Sequence, residues 1–149
     1  MEFKVSNAPF IHNNNSVSKI MRQLLYALMP AIVVYVYFFG WNIVVNLFIA
    51  SITALSCEAL MLLLRKRPLR AFLTDYSAIV TAFLLALALP PFVPWWITVL
   101  GTAFAIIVAK HVYGGLGYNL FNPAMAAYAM LLISFPLQMS DWSVILDTL

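Results

Sequence analysis

Ile43–Leu64 reads I-V-V-N-L-F-I-A-S-I-T-A-L-S-C-E-A-L-M-L-L-L, a run apolar on every face and long enough to cross a bilayer as a helix. A strand of a membrane barrel would instead alternate polar and apolar residues over about ten positions, so the helical reading decides the fold class. Four further apolar runs flank it: Leu24–Phe39 before, and Ala78–Leu89, Trp95–Ala109 and Pro123–Phe135 after. Composition agrees, because 64% of the 149 residues are hydrophobic and 9% are charged, with a mean hydropathy of +0.96, outside the range of soluble domains. The expectation is an all-α, polytopic integral membrane helical bundle of about five transmembrane segments.

The basic residues give the orientation. Lys4, Lys19 and Arg22 precede the first run, Arg65, Lys66, Arg67 and Arg70 lie between the second and third, and Lys110 follows the fourth. With five crossings all of them fall on one side, and Trp41, Trp95, Trp96 and Trp142 fall at the opposite ends, where amphipathic rings favour the headgroup level. Residues 1–22 are therefore read as a cytoplasmic amino-terminal tail, 23–135 as the transmembrane helical domain and 136–149 as a periplasmic segment. Topology already accounts for the net charge of +3, which removes the argument for nucleic acid as a partner and leaves membrane lipid. Met1–Met21 has no apolar core of a removable signal peptide, so the first helix is expected in the mature protein. Cys57 is the sole cysteine and reads as packing material. His12 and His111 have no ligand partner at helical spacing, so no metal site is expected.

The third and fifth runs are short. Ala78–Leu89 and Pro123–Phe135 reach only about 18 to 20 Å at 1.5 Å per residue, and each is preceded by polar residues that would sit at depth. Pro30 is expected to kink the first helix by removing a backbone hydrogen bond. An offset of 46 residues carries Tyr76-Ser77-Ala78 onto Asn122-Pro123-Ala124 and Trp96 onto Trp142, a weak same-direction repeat. Interrupted segments at corresponding positions point to a binding site in transporter-like folds.

The segment before the fifth run, Tyr113–Ala124, reads Y-G-G-L-G-Y-N-L-F-N-P-A. Asn122-Pro123 starts a helix, since the Asn side chain can accept from a free backbone N–H and Pro at the first position loses nothing. Gly114, Gly115 and Gly117 permit positive φ and close approach of backbone to a ligand; they would equally serve a turn or tight helix packing. Asn119 and Asn122 supply amide groups that suit a flavin or nucleobase edge or one another. Glu58 lies within the second run, and an intramembrane acid is a functional candidate by default; its plain alternative is pairing with Arg65 or Lys66. Asp75 is read either as a cap of the third helix or, if it shares a cavity with Glu58, as part of a cation site.

Ile107–Met125 (I-V-A-K-H-V-Y-G-G-L-G-Y-N-L-F-N-P-A-M), Asp75–Pro91 (D-Y-S-A-I-V-T-A-F-L-L-A-L-A-L-P-P) and Leu131–Met139 (L-L-I-S-F-P-L-Q-M) closely resemble the D subunit of the Rnf (Rsx) electron transport complex. The tail A-P-F-I-H-N-N and the turn F-F-G-W at Phe38–Trp41 fit as well, so the resemblance covers essentially the whole chain. The B subunit of the sodium-pumping NADH:quinone reductase is a more distant relative. The resemblance implies a multi-pass, flavin-binding subunit of the bacterial inner membrane, acting with other membrane subunits of the complex. That complex is a redox-driven translocase that couples electron flow on the ferredoxin or NADH side to Na+ or H+ movement. Family members have about ten helices, so the resemblance also implies that this chain is an amino-terminal half.

For cofactors, the resemblance implies non-covalent riboflavin at Asn119, Asn122 and the adjacent glycines. It implies FMN on a threonine of a Ser-Gly-Ala-Thr type motif in the later half. None of Thr53, Thr74, Thr81, Thr98, Thr102 and Thr148 lies in such a motif, and no covalent FMN site is assigned. Glu58 matches an acid associated with cation transport in the reductase. Ala54 and Leu55 stand where that relative has a glycine pair linked to its quinone site, so no such site is carried over. No side chain is assigned as catalytic, because the redox chemistry belongs to the cofactor. A small-solute channel or carrier, and a structural subunit without redox function, remain alternatives on the same interrupted helices.

Overall fold

The computed structural model describes residues 17–69, 73–112 and 121–142. Five helices carry the architecture: α1 (Val17–Phe39), α2 (Asn42–Leu64), α3 (Ser77–Ala88), α4 (Trp95–Phe104) and α5 (Pro123–Ser134). α4 continues directly as a π-helix over Ala105–Val112, and a short α6 (Pro136–Met139) follows α5. There is no strand among the described residues. α1, α2 and the joined Trp95–Val112 segment are long and apolar enough to cross a membrane. α3 and α5 have 12 residues each, about 18 Å of helix, which is short of a crossing.

The helix bounds follow local chemistry. The turn between α1 and α2 rests on Gly40, whose φ of 74° is cheap only without a β-carbon. Its N–H donates to the Val36 carbonyl (2.9 Å) and closes the helix end. α1 begins earlier than its apolar run and continues through Pro30 without a break in the helix; the ring leaves the Tyr26 carbonyl without its usual donor. α5 starts as its sequence dictates, with Pro123 in the first turn and the Asn122 side chain accepting from the Ala124 N–H at 3.0 Å.

Small residues set the packing. Ala50 and Ala54 on α2, and Ala78, Ala82 and Ala86 on α3, recur every four residues, are buried and join one core cluster. Such spacing lets helices approach closely in a membrane, where dispersion contacts replace the hydrophobic drive. α2 packs most extensively on α3 and next on α4. The second cluster, including Leu85, Ile97, Ala127 and Leu131, joins α3, α4 and α5. Gly101 sits at that junction, where an added β-carbon would come within 2.5 Å of Leu131 Cδ1 and 3.4 Å of Leu85 Cδ2. α1 lies outside both clusters with no buried residue, packed on α2 and α3 only by a partly buried face.

α2 and α4 run in the same direction. Near their starts Thr98 Oγ1 donates to Asn46 Oδ1 at 3.3 Å, and near their ends Glu58 meets Lys110. The helix bounds strengthen the same-direction repeat, since the offset of 46 carries Ser77 onto Pro123 and Ala88 onto Ser134. The bundle thus has a basic end and a tryptophan end. At the latter, Phe39 stacks edge-on to Trp142 and Trp96 on Phe135.

Candidate functional site

A buried chain of charged and polar groups crosses from α2 to the π-helix and on to the start of α3. Glu58 is 2% exposed, on the α2 face that also carries Asn46, Ala50 and Ala54 at four-residue intervals. Its Oε1 lies 2.9 Å from Lys110 Nζ and its Oε2 lies 3.0 Å from His111 Nε2. Lys110 is equally buried at 3% exposure, and its ammonium also donates to Ser77 Oγ at 2.8 Å. Ser77 passes the connection on, donating through Oγ to Asp75 Oδ1 at 2.7 Å. The order is therefore Asp75, Ser77, Lys110, Glu58, His111.

Local structure explains how each group arrives. The π-helix places Lys110 and His111, consecutive in sequence, on the two oxygens of one carboxylate. π-helical turns are rare and recur at functional sites. Asp75 accepts from the Ser77 N–H (2.8 Å), while Tyr76 between them takes the left-handed conformation at φ 63°. These contacts fix Ser77 at the first turn of α3, whose N-cap position is Tyr76. Arg65 donates to the His111 carbonyl at 2.6 Å and holds the end of the π-helix against the end of α2.

Charge decides what the arrangement can do. A lone carboxylate at this depth is costly, and pairing with an ammonium offsets much of the desolvation. With Glu58 ionised, His111 must carry its proton on Nε2 to donate to Oε2. The carboxylate is thus held by two donors rather than open to solvent. No group of three or more His, Cys, Asp or Glu among the described residues could hold a metal ion. The oxygen donors near Lys110 come instead from one carboxylate, one hydroxyl and a second carboxylate beyond it.

The alternative pairing of Glu58 with Arg65 or Lys66 is overturned by the structure. Arg65 and Lys66 do not pair with it; Lys110 and His111 do, because α4 runs parallel to α2 and its π-helical continuation comes beside Glu58. Lys110, read as a flanking topology marker, is buried, and His111, dismissed for want of a ligand at helical spacing, has a partner on another helix. The signal was the acid itself: an intramembrane carboxylate demands a cation, and Lys110 closes an apolar run. Glu58 and Asp75 are brought into one network but do not face each other across an open cavity, since Ser77 and Lys110 lie between them.

Of the flavin candidates, Gly114, Gly115, Gly117 and Asn119 lie outside the described residues. Asn122 is exposed at the α5 start. Its Oδ1 is committed to the cap, which leaves the amide NH2 as the group able to donate to a ring carbonyl. At the tryptophan end, Asn46 Nδ2 donates to the Pro91 carbonyl at 3.2 Å. A cavity of about 210 Å3, lined by Asn42, Asn46, Pro91 and Trp95 among others, opens beside it.

A family model described as the NQR2, RnfD, RnfE family matches residues 4–149. The D subunit of an ion-translocating oxidoreductase complex from Aeromonas salmonicida (strain A449) is 52% identical over 140 residues, covering 94% of this chain and 40% of the relative. The corresponding D subunits of Aliivibrio salmonicida (strain LFI1238) and Escherichia fergusonii are each 51% identical over 142 residues, covering 95% of this chain and 40% of each relative. The chain thus spans about 40% of the length of the curated relatives it matches.

Proposed function

The chain belongs to the NQR2, RnfD, RnfE family, and from that premise we propose that it is a multi-pass, flavin-binding membrane component of a complex that couples electron transfer to Na+ or H+ translocation. The name its relatives carry, as D subunits of an ion-translocating oxidoreductase complex, supports that class of activity. The observation that carries the reading for this chain is the buried Glu58 carboxylate with its two cationic or proton-bearing partners. A bundle meant only to scaffold has no need of an ionised acid at depth.

In this reading Glu58 and Asp75 handle the coupled cation at the basic end, which lies on the cytoplasmic side of the bacterial inner membrane. Asn119, Asn122 and the glycines Gly114, Gly115 and Gly117 receive a non-covalent riboflavin, which supplies the one-electron carrier when bound. The exposed amide of Asn122 at a helix start supports that assignment. The partners are the other membrane subunits of the complex and the surrounding lipid.

The test uses the full-length protein in its assembled complex, purified in detergent and extracted for flavin. Replacing Asn119 and Asn122 together with Leu should remove non-covalent riboflavin while the complex still assembles. Unchanged riboflavin content in the assembled variant would refute the pocket. Reconstituted complex that transfers electrons at the normal rate without moving Na+ or H+ would refute the coupled function.

A further inference from the structure

We propose that Lys110 is a built-in counter-cation whose ammonium occupies a Na+ seat on Glu58, and that the transported ion enters by displacing it toward Asp75. The proposal rests on the reading of Glu58 as a cation-handling residue and adds how that site is gated.

The seat is defined by the groups around Lys110 Nζ. Glu58 Oε1 at 2.9 Å and Ser77 Oγ at 2.8 Å come from two different helices, and both are oxygen atoms. Hard cations such as Na+ select oxygen ligands. All three residues are nearly excluded from solvent, with Ser77 at 1% exposure, so a cation here exchanges its water for fixed donors. The charge of the incoming ion is restricted to one. A monovalent ion entering as the ammonium moves to Asp75 takes the group Glu58, Lys110 and Asp75 from a net charge of −1 to zero, whereas a divalent ion would leave an uncompensated positive charge.

The ammonium also has somewhere to go. It already donates to Ser77 Oγ, and the next acceptor along the same line is the Asp75 carboxylate. Before exchange, Glu58 holds Lys110 and Asp75 holds the Ser77 hydroxyl; after it, Glu58 holds Na+ and Asp75 holds Lys110. Among the described residues Asp75 is without a cation partner in the first state and gains one in the second, and no proton needs to move. His111 stays on Oε2 and keeps the carboxylate oriented while Oε1 changes partner. Both Lys110 and His111 ride on the π-helix, a form that is rare and recurs at functional sites.

The competition predicts opposite effects for two substitutions in the full-length protein, assembled in its complex and reconstituted in liposomes, with Na+ uptake followed against Na+ concentration at fixed pH. Lys110→Met removes the competitor and should lower the half-saturating Na+ concentration by about tenfold or more, since the empty seat is otherwise a minor state. Asp75→Asn keeps an oxygen to accept from the Ser77 N–H but weakens the alternative place for Lys110. It should raise half-saturation several-fold. If Lys110→Met does not assemble, Asp75→Asn decides alone. Wild-type half-saturation in the assembled variants, or uptake indifferent to Na+, overturns the displacement. Glu58→Gln separates the two levels: wild-type translocation there would refute the underlying reading of Glu58, whereas its loss beside unchanged Lys110→Met and Asp75→Asn half-saturation would refute displacement alone.

Discussion

Removing Lys110 should harm the protein more than removing the charge of its partner, and removing both should partly repair the damage. In Lys110→Met the Glu58 carboxylate stays buried with only His111 against it, and an uncompensated buried charge costs about 3–5 kcal/mol. In Glu58→Gln the amide can still accept from Lys110 through its oxygen and donate to His111 in the other tautomer. The cost there is about 1–3 kcal/mol, that of poorer hydrogen bonds and a less well-compensated ammonium beside Ser77. The double variant Glu58→Gln, Lys110→Met holds no buried charge at this pair, so it should be more stable than Lys110→Met by about 1–3 kcal/mol. Reversible unfolding in mixed detergent, with helix content and tryptophan fluorescence as probes, gives the cycle. Additive costs, with the double variant less stable than either single one, would show that the two side chains do not depend on each other as the 2.9 Å contact requires.

Gly101→Ala should lose about 1–3 kcal/mol, because the new β-carbon forces Leu131 to move out of a filled cluster; wild-type stability in the same unfolding assay would refute the close approach of α4 to α5. Thr102 Oγ1 is buried without a hydrogen-bond partner among the described residues, so Thr102→Val, which keeps the shape, should leave stability unchanged or raise it by about 1 kcal/mol. A loss of stability comparable to Gly101→Ala would show that the hydroxyl has a partner.

Much of the architecture was legible because it depends on local properties. Five apolar runs became five helices, the first starting seven residues before its run, and the Asn122-Pro123 start formed through the bond that those two residue types favour. The shortness of α3 and α5 could be counted along the chain. The site was legible only in part. Glu58 announced itself by its cost in an apolar run, yet its partners lie 52 and 53 residues away, a distance at which no helical spacing rule operates. The shared direction of α2 and α4 follows from the five-crossing topology, but the π-helical turn that presents Lys110 and His111 together has no marker in the sequence. Lys110 therefore looked like any basic residue at the end of a crossing. The glycine and asparagine segment at 113–120 remains a reading of sequence.

The most direct measurement is cation uptake per electron transferred by the complex carrying the full-length protein with Glu58→Gln, in sealed proteoliposomes and with electron transfer recorded in the same sample. Loss of a charge-assisted contact worth about 1.5–3 kcal/mol corresponds to roughly tenfold to hundredfold weaker cation binding. At Na+ or proton levels that half-saturate the wild type, the ratio should fall by about fivefold to fiftyfold while electron transfer itself continues. A wild-type ratio would contradict the assignment of Glu58 to the coupled ion and leave its pair with Lys110 as a structural element alone.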